Sequence, residues 1–313
     1  MENKTLYIIG NGFDLHHGYK TSYLDFKKFI EQENFSLFLK LHKYVFLEDV
    51  DLWWEFESRL SKLNLGNLLG DIMNTLPSYF DDNLGYMHYS IYTKYVYQNI
   101  DLLTVSLFSY FRNFIKLSTF KERNNNHKIS LDKNAVFLNF NMTNSLEKLY
   151  NINQNQITYI HNSAFNEDNI ILGHSVQTIE DALDDNDKAK KAKGKSSTDE
   201  KLNSDELLYN YGMEDFKIYY SSTFKPTDKI IERHQSFFKS LKSVENIYVL
   251  GHSLSEVDLP YFKKIFENIK SNIDWTVSYY NKSDTERLKR TLTSIGVKQD
   301  NINFITLDGL HII

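Results

Sequence analysis

The chain has 313 residues, enough for one large domain or two modest ones, and its balance of 41% apolar to 25% charged residues supplies a sizeable core. A formal net charge of −5 argues against a broad nucleic-acid footprint, and the absence of cysteine removes disulfides, thiol catalysis and cysteine-based zinc sites together. The apolar run before Gly10 is too short for a signal peptide, and no stretch approaches the ~20 apolar residues of a membrane span. A cytoplasmic protein without membrane or nucleic-acid partners is therefore expected.

Thr5 to Ile9 is β-branched and aromatic and ends at Gly10-Asn11-Gly12, which reads as a buried strand entering a tight turn. From Tyr23 to Arg123 proline is almost absent and apolar residues recur at helical spacing, as in Leu24, Phe26, Phe29 and Ile30, or Trp53, Phe56 and Leu60. This predicts a helical insertion over residues 23–123. Strand candidates follow at Ala135 to Phe140, Ile157 to Ile160 and Ile170 to Leu172, with a short helix over Ser145 to Tyr150 between the first two. Residues 180–206 are charged with little to bury, and read as a solvated insertion or lid. Pro226 to Lys242 reads as a helix that starts on its proline. Strand Ile247 to Leu250, helix Ser255 to Ile269, strand Trp275 to Tyr280, helix Ser283 to Ile295 and strand Ile302 to Leu307 complete the chain.

That alternation predicts a single α/β domain: a doubly wound, mostly parallel, Rossmann-like sheet with a large helical insertion after its first strand. In such sheets ligands lie beyond the carboxyl ends of the strands. Five predicted strand ends carry polar clusters: Gly10-Asn11-Gly12-Phe13-Asp14, Asn139-Phe140-Asn141, His161-Asn162, Gly173-His174-Ser175 and Gly251-His252-Ser253. Together they outline a candidate nucleotide site.

Each cluster also has a plainer reading. The glycine turn lacks the third glycine of G-x-G-x-x-G, so it is either a phosphate-cradling loop or an ordinary strand-to-helix turn, with Asp14 as a helix cap. Asn139 and Asn141 share one side of their strand, and can orient a ribose hydroxyl and a water or simply tie down a loop. His161 is placed to act as a general base or as a structural histidine, and His16 and His17 suit packing. Gly251-His252-Ser253-Leu254-Ser255 nearly matches the nucleophile elbow of α/β-hydrolases, with Asp308 and His311 in triad order. Ser253 or Ser255 also explains itself as a helix N-cap, with Glu256 and Asp258 as acids of the first turn. Glu57, in Trp53-Trp54-Glu55-Phe56-Glu57, is either part of a helix packing its aromatics or a cleft residue. No His spacing suggests a metal.

Taken in order, LYIIGNGFDLHHGYKTSYLDF (6–26), W-x-x-F-E (53–57), FLNFNMTNSLEKLY (137–150), ITYIHN (157–162), ILGH (171–174) and IYVLGHSLSEVDLPYF (247–262) resemble the AbiH family of bacterial abortive-infection proteins. That resemblance implies a phage-defence role, a phage-encoded trigger and, by analogy with related effectors, a homo-oligomer. The chain is also distantly similar to sirtuin-like domains, several of which hydrolyse NAD+. By position this implies that Asn141 holds water and ribose and that His161 is the general base. Gly10 and Gly12 would face the phosphates, and Gly251, His252 and Ser253 the adenosine side. NAD+ would then be a substrate rather than a resident cofactor. Thr143 stands where such proteins usually carry Asp, and Asn162 where Gly usually follows the histidine. The alternatives are a non-catalytic nucleotide sensor and, more remotely, a serine hydrolase.

Overall fold

The computed structural model of the protein describes residues 4–46, 50–75, 85–119, 128–176 and 216–310. The charged segment 180–206 and His311 lie outside them. The described residues belong to two compact units.

The first unit comprises residues 1–25, 112–171 and 226–313, and it contains the whole sheet. Six strands, β1 (Thr5–Ile9), β2 (Val136–Asn139), β3 (Ile157–Tyr159), β4 (Asn246–Leu250), β5 (Asp274–Ser278) and β6 (Ile302–Ile305), pair in the order β3-β2-β1-β4-β5-β6. Every pairing is parallel. The α/β doubly wound expectation is met in full.

Burial on both faces explains why these strands are short continuous apolar runs rather than alternating ones. On one face Leu6, Ile8, Leu138 and Val249 pack with Ile230 and Phe238 from helices Thr227–Arg233 and Gln235–Ser240. Helices Leu259–Asn268 and Thr285–Ser294 add Tyr261, Phe262, Ile265, Leu288 and Leu292 to the same layer. On the other face Tyr7, Ile9, Phe137 and Tyr159 meet Phe13 from helix Asn11–His16, and Leu146 and Tyr150 from helix Ser145–Tyr150. The chain leaves β1 on one side of the sheet and returns at β4 on the other, so strand order reverses between β1 and β4. Residues beyond the carboxyl ends of those two strands occupy the position where doubly wound sheets bind ligands.

Two predicted elements differ. Residues 170–173 are irregular, and the isolated bridge between His174 and Phe224 stands in place of the expected strand. A three-residue apolar run carries no pattern that separates a strand from a buried loop. The helix predicted over 226–242 breaks at His234, which ends one short helix and opens the next.

The second unit, residues 26–111 and 172–225, is helical. Helix Tyr23–Glu33 runs into it, and Phe35–Tyr44, Phe56–Arg59, Leu65–Thr75 and Gly85–Asp101 follow. Its core is aromatic: Trp53 stacks on Phe46 with ring centroids 4.3 Å apart, and Phe26 meets Phe111 edge-on at 4.9 Å.

Candidate functional site at the carboxyl edge of the sheet

The turns after β1 and β4 press backbone against backbone. Gly10 N–H donates to Leu250 O, Gly12 N–H to Gly251 O and Phe13 N–H to Gly10 O, all within 2.9 Å. A Cβ on Gly10 would stand 2.5 Å from the Cα of His252, and one on Gly251 would stand 2.0 Å from the nitrogen of Phe13. Gly251 also has φ 66°, in the left-handed region. The glycines of both motifs are thus required by the close approach of the two turns, and three of their N–H groups are spent inside the protein.

Behind Gly10 lies a cluster of amides and carboxyls. Asn141 donates from Nδ2 to Gly10 O at 3.0 Å, and its own N–H donates to Asn139 Oδ1 at 3.0 Å. Both asparagines are buried. Asp14 does not cap the helix after β1. The cap position falls on Gly10, and Asp14 lies inside the helix, fully buried, where Thr143 Oγ1 donates to its carboxylate at 2.6 Å. Burial pushes the Asp14 carboxyl up to about 6, against the pull of Ser145, Thr143 and Asn141 toward the ionised form. Thr143 therefore meets the carboxylate of Asp14 across the cluster. Nearby, Tyr159 donates its hydroxyl to Glu147 at 2.7 Å, and burial raises the Glu147 carboxyl.

A second cluster surrounds Phe140. The ring of His161 lies edge-on to Phe140 with centroids 5.4 Å apart, and that of His252 does so at 4.3 Å. Asp258 faces both imidazoles. Its Oδ1 is 3.8 Å from His161 Nε2 and its Oδ2 is 3.7 Å from His252 Nε2. All three residues are buried. His252 Nδ1 accepts the N–H of Leu254 at 2.9 Å, so in its neutral form this ring carries its proton on Nε2, toward Asp258. Leu254 takes φ 54°, a costly conformation for a bulky side chain. Asn162, with φ 62°, occupies the left-handed position after His161, a conformation asparagine tolerates better than other non-glycine residues.

The remaining candidates are placed as follows. Asn11 is exposed and exchanges hydrogen bonds with Thr21, accepting its hydroxyl at 2.6 Å. Ser253 is exposed, and its carbonyl accepts from Arg287 at 2.8 Å. Ser255 gives no side-chain cap; its hydroxyl donates to Asp258 Oδ2 at 2.8 Å. Asp308, the would-be triad acid, pairs with His16 at 3.9 Å. His17 packs on Phe13 and bonds to Tyr150 at 2.5 Å, the packing role expected of it.

His174 belongs to the second unit, where it bonds to Thr223 at 3.1 Å and burial pushes its imidazole down to about 4. Glu57, also in that unit, pairs with the buried ammonium of Lys225 at 2.6 Å. Among the described residues no group of three or more His, Cys, Asp or Glu is arranged to hold a metal ion.

Sequence reasoning passed over Asp258 as a first-turn acid. The signal was present in the spacing: Ser255 stands three residues before it, a local hydroxyl–carboxylate pair that also fixes the carboxylate's orientation.

Sheet order and edge chemistry define a doubly wound α/β protein with a polar, partly strained carboxyl edge at its point of strand reversal. The family model for bacteriophage abortive infection AbiH matches residues 6–279. The chain belongs to the AbiH family, and its role lies in abortive infection of bacteriophage. Neither curated proteins nor solved structures give a match to it. Among the described residues no helix is long and apolar enough to cross a membrane.

Proposed function

We propose that this AbiH protein acts in phage defence by binding NAD+ or a related nucleotide at the β1/β4 edge and hydrolysing its N-glycosidic bond. The reading is carried by one observation: a buried histidine, His161, follows β3 by two residues, as the buried Asn141 follows the paired strand β2, and has a carboxylate 3.8 Å from its ring. In this reading Asn141 orients the ribose and a water molecule, exchanging its present bond to Gly10 O for one to the ligand. His161 takes a proton from the water as the water oxygen bonds to the anomeric carbon. The carbon–nitrogen bond breaks and its electron pair leaves with neutral nicotinamide, giving ADP-ribose and a proton. Preorganised dipoles at the edge stabilise the oxocarbenium-like transition state. The strained turn that holds His252 supports a functional edge, because such strain persists where surrounding structure enforces it.

The test is release of nicotinamide from NAD+ by the purified protein. His161→Ala should lower turnover by about 10²- to 10⁴-fold, the usual worth of a general base, and Asn141→Ala should also lower it. Absence of turnover under every activating condition, or full turnover in both variants, defeats the reading. A non-catalytic nucleotide sensor is the rival reading, and it too must bind the phosphates without the Gly10, Gly12 and Phe13 N–H groups, which are bonded inside the protein. Calorimetric binding of NAD+ without release of nicotinamide would select it.

A further inference from the structure

We infer that Asp258 is a positioning residue of this edge, a carboxylate that makes His161 and His252 act as a pair; the inference rests on the hydrolytic reading above. Both rings pack edge-on against Phe140. What joins them is the carboxylate, with one oxygen given to each Nε2, at 3.8 and 3.7 Å.

Three features fix its geometry. Ser255 donates to Oδ2 at 2.8 Å and stops the carboxylate from rotating. Leu254 N–H occupies His252 Nδ1 and so directs the proton on Nε2 at the same oxygen. The left-handed conformation of Leu254 sets the course of the chain after that contact, into the turn Glu256–Asp258 that carries the carboxylate.

The consequence is chemical. When His161 takes the proton of the attacking water, the cationic ring faces a buried carboxylate whose other oxygen is already held by Ser255 and His252. Charge on His161 is balanced without rearrangement at the moment of reaction. The separations of 3.7 and 3.8 Å leave the contacts to close when a ligand binds, as catalytic contacts commonly do.

The test compares Asp258→Asn, which keeps the shape and an acceptor for Ser255 but loses the charge, with Asp258→Glu, which keeps the charge. The Asn variant should bind NAD+ with little change in affinity or KM and lose about 100-fold in kcat. The Glu variant should recover much of that loss, and Ser255→Ala should give a smaller loss. Independently of turnover, imidazole ¹H–¹⁵N spectra of the nucleotide-free protein should show the signals of both His161 and His252 displaced in Asp258→Asn. Equal turnover in wild type and Asp258→Asn, equal loss in the Asn and Glu variants, or displacement of one histidine alone would overturn the inference. If wild type releases no nicotinamide the hydrolytic reading falls, while the spectra still decide whether Asp258 couples the rings. Should Asp258→Asn not fold, Ser255→Ala decides: unchanged kcat and unchanged imidazole signals there overturn the inference.

Discussion

The two clusters at the carboxyl edge are equally buried but closed to different degrees. Around Asp14 and Asn141 the hydrogen bonds are short, 2.6 to 3.0 Å, although Asp14 Oδ1 and Asn139 Nδ2 are buried without a hydrogen-bond partner. Around Asp258 the carboxylate reaches its imidazoles only at 3.7 to 3.8 Å, and a strained residue is needed to hold the arrangement. Short hydrogen bonds rigidify; a looser arrangement held by strain retains the capacity to tighten on a ligand. The contrast teaches a division of labour: the amide and carboxyl cluster is the frame on which the first turn is built, and the imidazole cluster is the part left poised.

Gly251→Ala should break both at once. The added methyl meets the Phe13 nitrogen at 2.0 Å in a left-handed conformation, so the turns must separate. A loss above ~3 kcal/mol is expected in chemical unfolding, and a folded variant of wild-type stability would show that the turns do not depend on this contact.

Asp14→Asn isolates the frame. The Asp14 carboxyl moves from its ordinary 3.8 to about 6 on folding, so its contribution to stability is full below pH 3.8 and is lost as pH rises through about 6. The loss amounts to roughly 3 kcal/mol. Urea unfolding of Asp14→Asn should lack this decline across the same window while keeping the hydrogen bond from Thr143. A decline identical to that of wild type would place the titration elsewhere.

Ser278→Ala should act least. It removes the hydroxyl that accepts Gly251 N–H at 2.7 Å, and about 1 kcal/mol should be lost. Thermal unfolding reads this directly, and an unchanged midpoint would mean that another group takes over the Gly251 N–H.

Much of this was legible before any coordinates. The short apolar runs around Ile8, Leu138 and Val249, separated by helical spacing, led to the parallel doubly wound sheet. Each run is its own local signal, and both faces of a parallel strand are buried. Ile170 to Leu172 misled because so short a run has no period. Asn139 lies at a strand end and Asn141, His161 and His252 two residues past one, as their spacing implies, yet their company was not legible. Asp14 looked like a cap from its place after a glycine turn, and Asp258 looked like a first-turn acid, because helix-terminus preferences are local statistics. Both carboxylates instead answer partners more than 90 residues distant in sequence, Thr143 in one case and His161 in the other.

By itself, then, the amino-acid order determined the sheet, its return through helices, the polar character of its carboxyl edge and membership of the AbiH family. Tertiary structure alone decided that Asn141 joins Gly10 and that His161 joins His252 through Asp258. Secondary structure follows from spacing along the chain, which can be read locally. Which side chains share a buried carboxylate depends on strand order and on the approach of two distant turns to within atomic contact, and no local pattern carries that information.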